Sequence, residues 1–263
     1  MLNRCVITVG VGNWYPLGLD RLTASLKRVN FQGELLSWRN EYPPDSPTHQ
    51  QIKYGFKAYA FAEARRRGFD SALWLDCSCW AIRPLEPLFE HIEEQGYAFF
   101  NSGWLTGTWC SDAALPLLGI TREQSFSIPM IAATYMGVRF GHPQADEFLR
   151  QFMHHAKDGS FNGPATNDAN AASTDPRVRG HRYDQTAASV IVHRLGLSGG
   201  VIDSPKFIAY WADPPSPDTL IEARGMRGNE TPEEIEADLA HGTPTSPSAN
   251  SSPNMPAGTP ALQ

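Results

Sequence analysis

Basic charge is scarce in this chain: 22 Lys and Arg face 28 Asp and Glu, giving a formal net charge of -6. Such a sequence has no positive field to draw in a phosphate backbone, which excludes nucleic acid as its principal partner. The single basic run, Arg65-Arg66-Arg67, reads as a solvated cluster complementing the C-terminal dipole of a helix. Cysteine is equally thin. Cys5, Cys77, Cys79 and Cys110 are too few and too scattered for a disulfide framework, so buried free thiols are expected, and Cys77-x-Cys79 lacks two further zinc ligands at any recognised spacing. No uncharged apolar run approaches the ~20 residues that span a bilayer, so any membrane contact would be peripheral. The opening Met1-Leu2-Asn3-Arg4-Cys5-Val6-Ile7 enters a strand with no export signal, and the expected compartment is the cytoplasm. Two nucleotide fingerprints are missing as well. Gly10-x-Gly12 is followed by Tyr15 where a dinucleotide-binding turn needs its third glycine, and no Gly-x-x-x-x-Gly-Lys-Ser/Thr string occurs. No internal repeat is present, which removes solenoids and propellers.

What is present is enough apolar and aromatic material, 41% and 11% of the residues, to fill a core. The chain alternates strand and helix from Cys5-Val6-Ile7-Thr8-Val9 onward. A helix begins near Pro16, with Leu19, Leu22, Leu26 and Val29 on one face. Glu34-Leu35-Leu36-Ser37-Trp38 is a short strand, the Pro-rich 42–47 a loop, and a second helix carrying Phe56, Tyr59, Ala60 and Glu63 stops at Gly68 before a strand at 69–75. This βαβαβ order predicts an α/β fold with a parallel sheet, whose ligands bind beyond the carboxyl ends of its strands. Strands are expected at 97–100 and 131–140, and helices at 143–155 and 184–194. The polar stretch 157–180 is an interior loop of the functional kind. From 229 to 263 the composition of Pro, Ser, Thr, Ala and Asn predicts a disordered tail, leaving 1–228 as one domain.

Candidate chemistry collects at the strand ends. Asp76 follows the apolar Ala72-Leu73-Trp74-Leu75 directly, where a carboxylate can take a metal, a ribose hydroxyl or a proton, or simply cap the turn. Lys53 and Lys57 stand four apart on one helical face, either solvated or offsetting a diphosphate. Asp184 opens a helix, as an N-cap or as a base. His181 is either a surface histidine or a metal ligand. Trp104 and Trp109, in a Gly, Thr and Ser loop, serve either the core or a stacked sugar.

Four segments carry a family pattern: Tyr54-Gly55-Phe56-Lys57-Ala58-Tyr59-Ala60, then Ala72-Leu73-Trp74-Leu75-Asp76-Cys77-Ser78, then Arg83-Pro84-Leu85-Glu86-Pro87-Leu88-Phe89, and finally Gly180-His181-Arg182-Tyr183-Asp184-Gln185-Thr186. Together they resemble nucleotide-sugar-dependent glycosyltransferases of the GT-A fold, the last segment that of bacterial members. The resemblance implies a Rossmann-like βαβ nucleotide-binding half at 1–100, an acceptor half at 101–228 and a mixed central sheet. It implies transfer of a hexose from a nucleotide diphosphate sugar, a UDP-sugar favoured, to a hydroxyl of a glycan, lipid or protein acceptor. Val9 and Gly10 would seat the base and ribose, Lys57, Asp76 and Ser78 the rest of the donor, and Asp184 and Gln185 would be catalytic. Mn²⁺ or Mg²⁺ would be held by Asp76, Ser78 and His181, except that Ser78 stands where the family's Asp-x-Asp motif has its second carboxylate, and a hydroxyl is the poorer ligand. Three readings stay open: a metal held by Asp76 with phosphate oxygens, a metal-independent enzyme, or a catalytically weak relative that binds nucleotide sugar or glycan.

Overall fold

The computed structural model describes residues 2–12, 14–204, 206–210 and 215–223; the tail expected from 229 lies outside them. Among the described residues there are ten strands and seven α-helices. The strands are β1 (Arg4–Gly10), β2 (Glu34–Arg39), β3 (Ser71–Leu75), β4 (Cys79–Ala81), β5 (Tyr97–Leu105), β6 (Pro129–Ile131), β7 (Tyr135–Arg139), β8 (Val201–Ile202), β9 (Phe207–Tyr210) and β10 (Thr219–Ala223). The helices are α1 (Tyr15–Arg28), α2 (Phe56–Arg66), α3 (Glu86–Gln95), α4 (Ala114–Leu118), α5 (Arg122–Ser125), α6 (Pro143–His155) and α7 (Tyr183–Arg194).

The main sheet has the order β2-β1-β3-β7-β5-β6, with β8 added on β5. β2, β1 and β3 are parallel, in register Cys5↔Glu34 and Cys5↔Ala72. β7 runs antiparallel between β3 and β5. The sheet is therefore mixed, as the GT-A resemblance implies, and not parallel throughout as the βαβαβ order alone predicts, and β5 points the same way as β3. Both faces are covered. Ile7, Phe61, Trp74, Phe99, Phe148 and Ile191 belong to the cluster on one side, and Val6, Leu22, Leu73, Phe89, Phe100 and Tyr135 to that on the other; alternate residues of β1 and β3 divide between the two, as a pleated strand requires.

Several expected boundaries move. Phe69 closes α2, its amide donating to the Ala64 carbonyl, so β3 starts at Ser71 rather than 69. The strand expected at 131–140 is two strands, broken at 132–134, and that break supplies the Ala133 carbonyl used below. β5 runs on to Leu105 instead of ending at 100, carrying Trp104 to the sheet edge before a 3-10 turn at Thr106–Trp109. Arg66 and Arg67 pair with Glu63 and Arg65 with Asp146, as a solvated helix end would. All four cysteines are free and buried, and no helix among the described residues is long and apolar enough to cross a membrane.

Helix α1 presses on the turn that follows β3. A Cβ on Gly18 would lie 2.4 Å from the Cys77 carbonyl oxygen, so glycine is what lets the helix reach that turn. Arg21 donates from there to the Ser78 carbonyl at 3.0 Å. Gly18→Ala is therefore expected to lower the unfolding free energy by about 1–3 kcal/mol, read as a shift of the urea midpoint at unchanged slope; an unchanged midpoint would show that the turn yields freely.

Candidate active site

Three side chains from separate elements meet beyond the carboxyl end of β3. Asp76 is the first residue past the strand, and its backbone is clamped: its amide donates to the Thr134 carbonyl at 3.0 Å and its carbonyl accepts from Cys79 at 2.9 Å. Its Oδ1 accepts from the Trp74 indole at 2.7 Å. Lys57, in the first turn of α2, sends its ammonium inward to the Ala133 carbonyl at 2.8 Å, Asp76 Oδ1 at 3.1 Å and Asp184 Oδ2 at 3.0 Å. The side chain is 2% exposed. The rings of Tyr54 and Trp74 lie 5.0 and 5.1 Å from the same nitrogen, a cation-π environment that favours its charge.

Two carboxylates and one ammonium leave this cluster one negative charge in excess, and the strain falls on the more buried acid. Burial works against the charge on Lys57, but Asp184 and Asp76 overcome it and raise the ammonium pKa. Burial likewise pushes Asp184 up, to about 6, against the pull of Lys57. A carboxylate poised there can accept a proton near neutral pH. Among the described residues no hydrogen bond or ion pair reaches Asp76 Oδ2, and the Asp76 side chain is 27% exposed. It is open to a ligand.

These groups line a cavity of about 170 Å³ together with Tyr54, Ala133, Thr134, Arg182, Tyr183 and Gln185. That is below the roughly 300–1,000 Å³ of drug-sized sites and suits one small polar group. Tyr54 and Tyr183 hold backbone φ of +59° and +50°, and their rings meet at 5.6 Å. Left-handed backbone at a side-chain-bearing residue costs about 1–2 kcal/mol, and such strain gathers at functional sites. A larger hollow, about 380 Å³, lies elsewhere, lined by Arg150, His154 and Arg194 with no carboxylate facing it.

The sequence candidates divide. Lys57, Asp76, Asp184 and Gln185 are brought together; Val9, Gly10, Ser78 and His181 do not line the cavity. Lys57 is neither solvated nor free to meet a diphosphate, because its ammonium is already shared among three acceptors. Asp184 does not cap its helix: Arg182 holds the N-cap position, without a side-chain cap, and Asp184 turns to Lys57. Gly10 lets α1 come close, since a Cβ there would lie 3.1 Å from the Tyr15 carbonyl, and the Val9 carbonyl accepts from the Cys77 thiol at 3.3 Å. His181 is fully buried, its Nε2 2.9 Å from the Ser160 carbonyl, while Nδ1 accepts from the Ser111 amide at 3.3 Å. Burial holds its pKa down at about 4, so the ring is neutral. Arg182, Tyr54 and Tyr183 were missed. Their signal was adjacency to Asp184 and Lys57 in the same segments.

Among the described residues this donor set does not hold a divalent ion by itself. Ser78 does not line the cavity, both His181 nitrogens are engaged, and the ammonium of Lys57 stands between the two carboxylates that would otherwise share a cation. Asp76 Oδ2 remains as a lone carboxylate oxygen, so Mn²⁺ or Mg²⁺ would depend on oxygens of a bound phosphate for the rest of its ligand shell. Among the described residues the grouping His154, His155 and Asp158 has ligand atoms within 4.8 Å of one another, but it closes the last turn of α6, with His155 Nδ1 2.8 Å from Asp158 Oδ2.

Lys57→Met removes the charge and leaves two carboxylates facing one another. It should cost about 3–5 kcal/mol of stability at pH 7.5. Because an acid with a raised folded-state pKa is most compatible with folding when protonated, that loss should shrink as the pH falls through the Asp184 midpoint of the variant, which lies above the native value of about 6 once Lys57 no longer lowers it, toward the unfolded carboxylate range near 4. Denaturant curves at several pH values measure it, and a loss independent of pH would refute the shared ion pair.

No family model and no curated protein matches the sequence. Solved structures do match in shape. One is a glycosyltransferase involved in the glycosylation of the major capsid of PBCV-1, with TM-score 0.49 and 10% identity over 91% of this chain and 99% of that one. A second is the bifunctional glycosyltransferase WbbM in its apo form, at 0.46 and 11% over 92% of this chain and 45% of that one. A third is mouse xyloside xylosyltransferase 1, also apo, at 0.47 and 8% over 88% and 100%.

Proposed function

We propose that this chain is a GT-A-type glycosyltransferase that moves a hexose from a nucleotide diphosphate sugar, with UDP-sugars favoured, to an acceptor hydroxyl. The observation that carries the reading is the pairing of Asp76, at the carboxyl end of a parallel strand, with a buried Asp184 whose pKa is lifted toward neutrality. The first belongs to the nucleotide-binding half at 1–100 and the second to the acceptor half at 101–228, so the reacting bond would lie between the halves.

In this reading the nucleotide lies along the carboxyl ends of β1 and β3, with Val9 and Gly10 beneath the base and ribose. Asp76 Oδ2 accepts from a hydroxyl of the donor. The sugar occupies the small cavity, where Gln185, whose side chain makes no hydrogen bond among the described residues, can meet its hydroxyls. Asp184 takes the proton of the acceptor hydroxyl as that oxygen attacks the anomeric carbon. The bond from that carbon to the diphosphate breaks, and the nucleoside diphosphate leaves with the electron pair. Arg182, at the rim of the cavity, offsets its growing negative charge. Lys57 acts as a positioning residue that aligns both carboxylates.

A panel of nucleotide sugars, assayed for hydrolysis and for transfer, tests this. Turnover should persist in EDTA, since the described residues offer a divalent ion a single carboxylate oxygen; its loss would instead favour a metal held by Asp76 with phosphate oxygens. Asp184→Asn should lower kcat by roughly 10²–10⁴-fold. Because the base must be ionised, kcat in the native chain should rise with pH through about 6 and level off above it. A folded chain that neither binds nor turns over any nucleotide sugar, with Asp76→Ala indistinguishable from it, would overturn the proposal.

A further inference from the structure

Every described arginine but two has a hydrogen-bonded acceptor for its guanidinium. Arg4, Arg39, Arg65, Arg66, Arg67, Arg122, Arg150 and Arg177 reach carboxylates, and Arg21, Arg28, Arg83, Arg139 and Arg194 reach backbone carbonyls. The exceptions are Arg179 and Arg182, in a chain with acid to spare. Both lie on tryptophan instead. The Arg182 guanidinium sits 4.2 Å from the Trp109 ring centre and that of Arg179 5.1 Å from Trp104. The two indoles meet edge to face at 5.7 Å, so the four side chains form a continuous ladder. Its inner rung, Arg182, borders the cavity; its outer rung, Arg179, lies beyond the cavity lining and is exposed.

The ladder is rigidly built. Arg179 and Arg182 donate their amides to the carbonyls of Thr108 and Trp109 at 2.8 and 3.1 Å. Between them, His181 donates its amide to the Pro164 carbonyl at 2.8 Å and fixes its ring as described above. A Cβ on Gly180 would lie 2.1 Å from the Ala165 carbonyl oxygen, so this segment has one way to lie. A guanidinium held over an indole face by cation-π attraction still has its N–H donors to offer, and its fork matches an anionic oxygen pair.

The position of the ladder assigns it to one substrate. In the sheet, β1 flanks β3 on one side, and β5, which delivers Trp104, lies on the other side beyond β7. The nucleotide belongs to the β1 side, which leaves the β5 side for the acceptor. We infer that the outer rung, Arg179 on Trp104, is an acceptor subsite for a saccharide bearing a carboxylate or phosphate next to the reacting sugar. The inference rests on the proposed transfer only for the word acceptor; the anion preference stands on the ladder itself.

Calorimetry on the full chain tests it with three probes: a disaccharide ending in glucuronic acid, the same disaccharide ending in glucose, and glucose 6-phosphate. An acidic probe should bind about tenfold or more tightly than the neutral one and should weaken as salt is raised. Arg179→Gln, which retains length and a hydrogen-bonding head, should erase that preference, and Arg179→Lys should restore only part of it, because the fork is lost. UDP affinity should stay within about twofold in both variants. Equal binding of acidic and neutral probes by the native chain, or an Arg179→Gln variant that loses UDP as strongly as the acidic probe, would overturn the inference. A chain that ignores UDP yet keeps an Arg179-dependent acid preference would instead sink the transferase reading and leave the ladder standing.

Discussion

The ammonium of Lys57, enclosed by Asp76, Asp184 and the Ala133 carbonyl, is the contact on which the site depends. It joins α2, the end of β3, the break between β6 and β7, and the first turn of α7. Each of these reaches the same point by its own packing, yet without the charge between them two acids would be forced together in a partly dry pocket. A buried ion pair of this kind adds little net stability over an apolar substitute, but it dictates one arrangement of its partners. Here that arrangement sets a partly exposed carboxylate beside a buried one, so the two meet different surroundings and can take different roles.

A second constraint comes from His181. Held neutral by burial and bonded through both ring nitrogens, it serves as a strut between the loop at 160–164 and the turn before α4. The strut fixes the stretch from Arg179 to Asp184, and so ties the arginine ladder and the base to one rigid segment. Strained backbone at Tyr54 and Tyr183 is tolerated at the same place because Lys57 and the paired rings hold both tyrosines from either side.

Much of this was legible in the sequence. The alternation of apolar strands with helices placed β1, α1, β2, α2 and β3 in their order, although Ile52 precedes α2 and β3 begins at Ser71 rather than Phe69. Asp76, Lys57, Asp184 and Gln185 were legible as a set because they sit in short distinctive segments. What the residues could not reveal was direction. Whether Lys57 points to solvent or to the core depends on the Ala133 carbonyl, 76 positions away, and the break that presents it reads in sequence as one continuous strand. His181 was misread as a metal ligand for the same reason, its partners Ser111 and Ser160 being distant in the chain. Ser78 was carried over from the position of the second carboxylate in the family's Asp-x-Asp pattern, whereas here it lies outside the cavity lining, in the tight turn at Asp76–Cys79, with its carbonyl engaged by Arg21.

The most direct test of Asp184 as a base poised near neutrality is a carbon-13 NMR titration of its carboxyl carbon in the folded chain. The account predicts an apparent midpoint at about 6, well above an ordinary aspartate. A midpoint in the usual range near 4 would contradict the dominance of burial over the pull of Lys57 at Asp184, and with it the assignment of Asp184 as a base poised near neutrality.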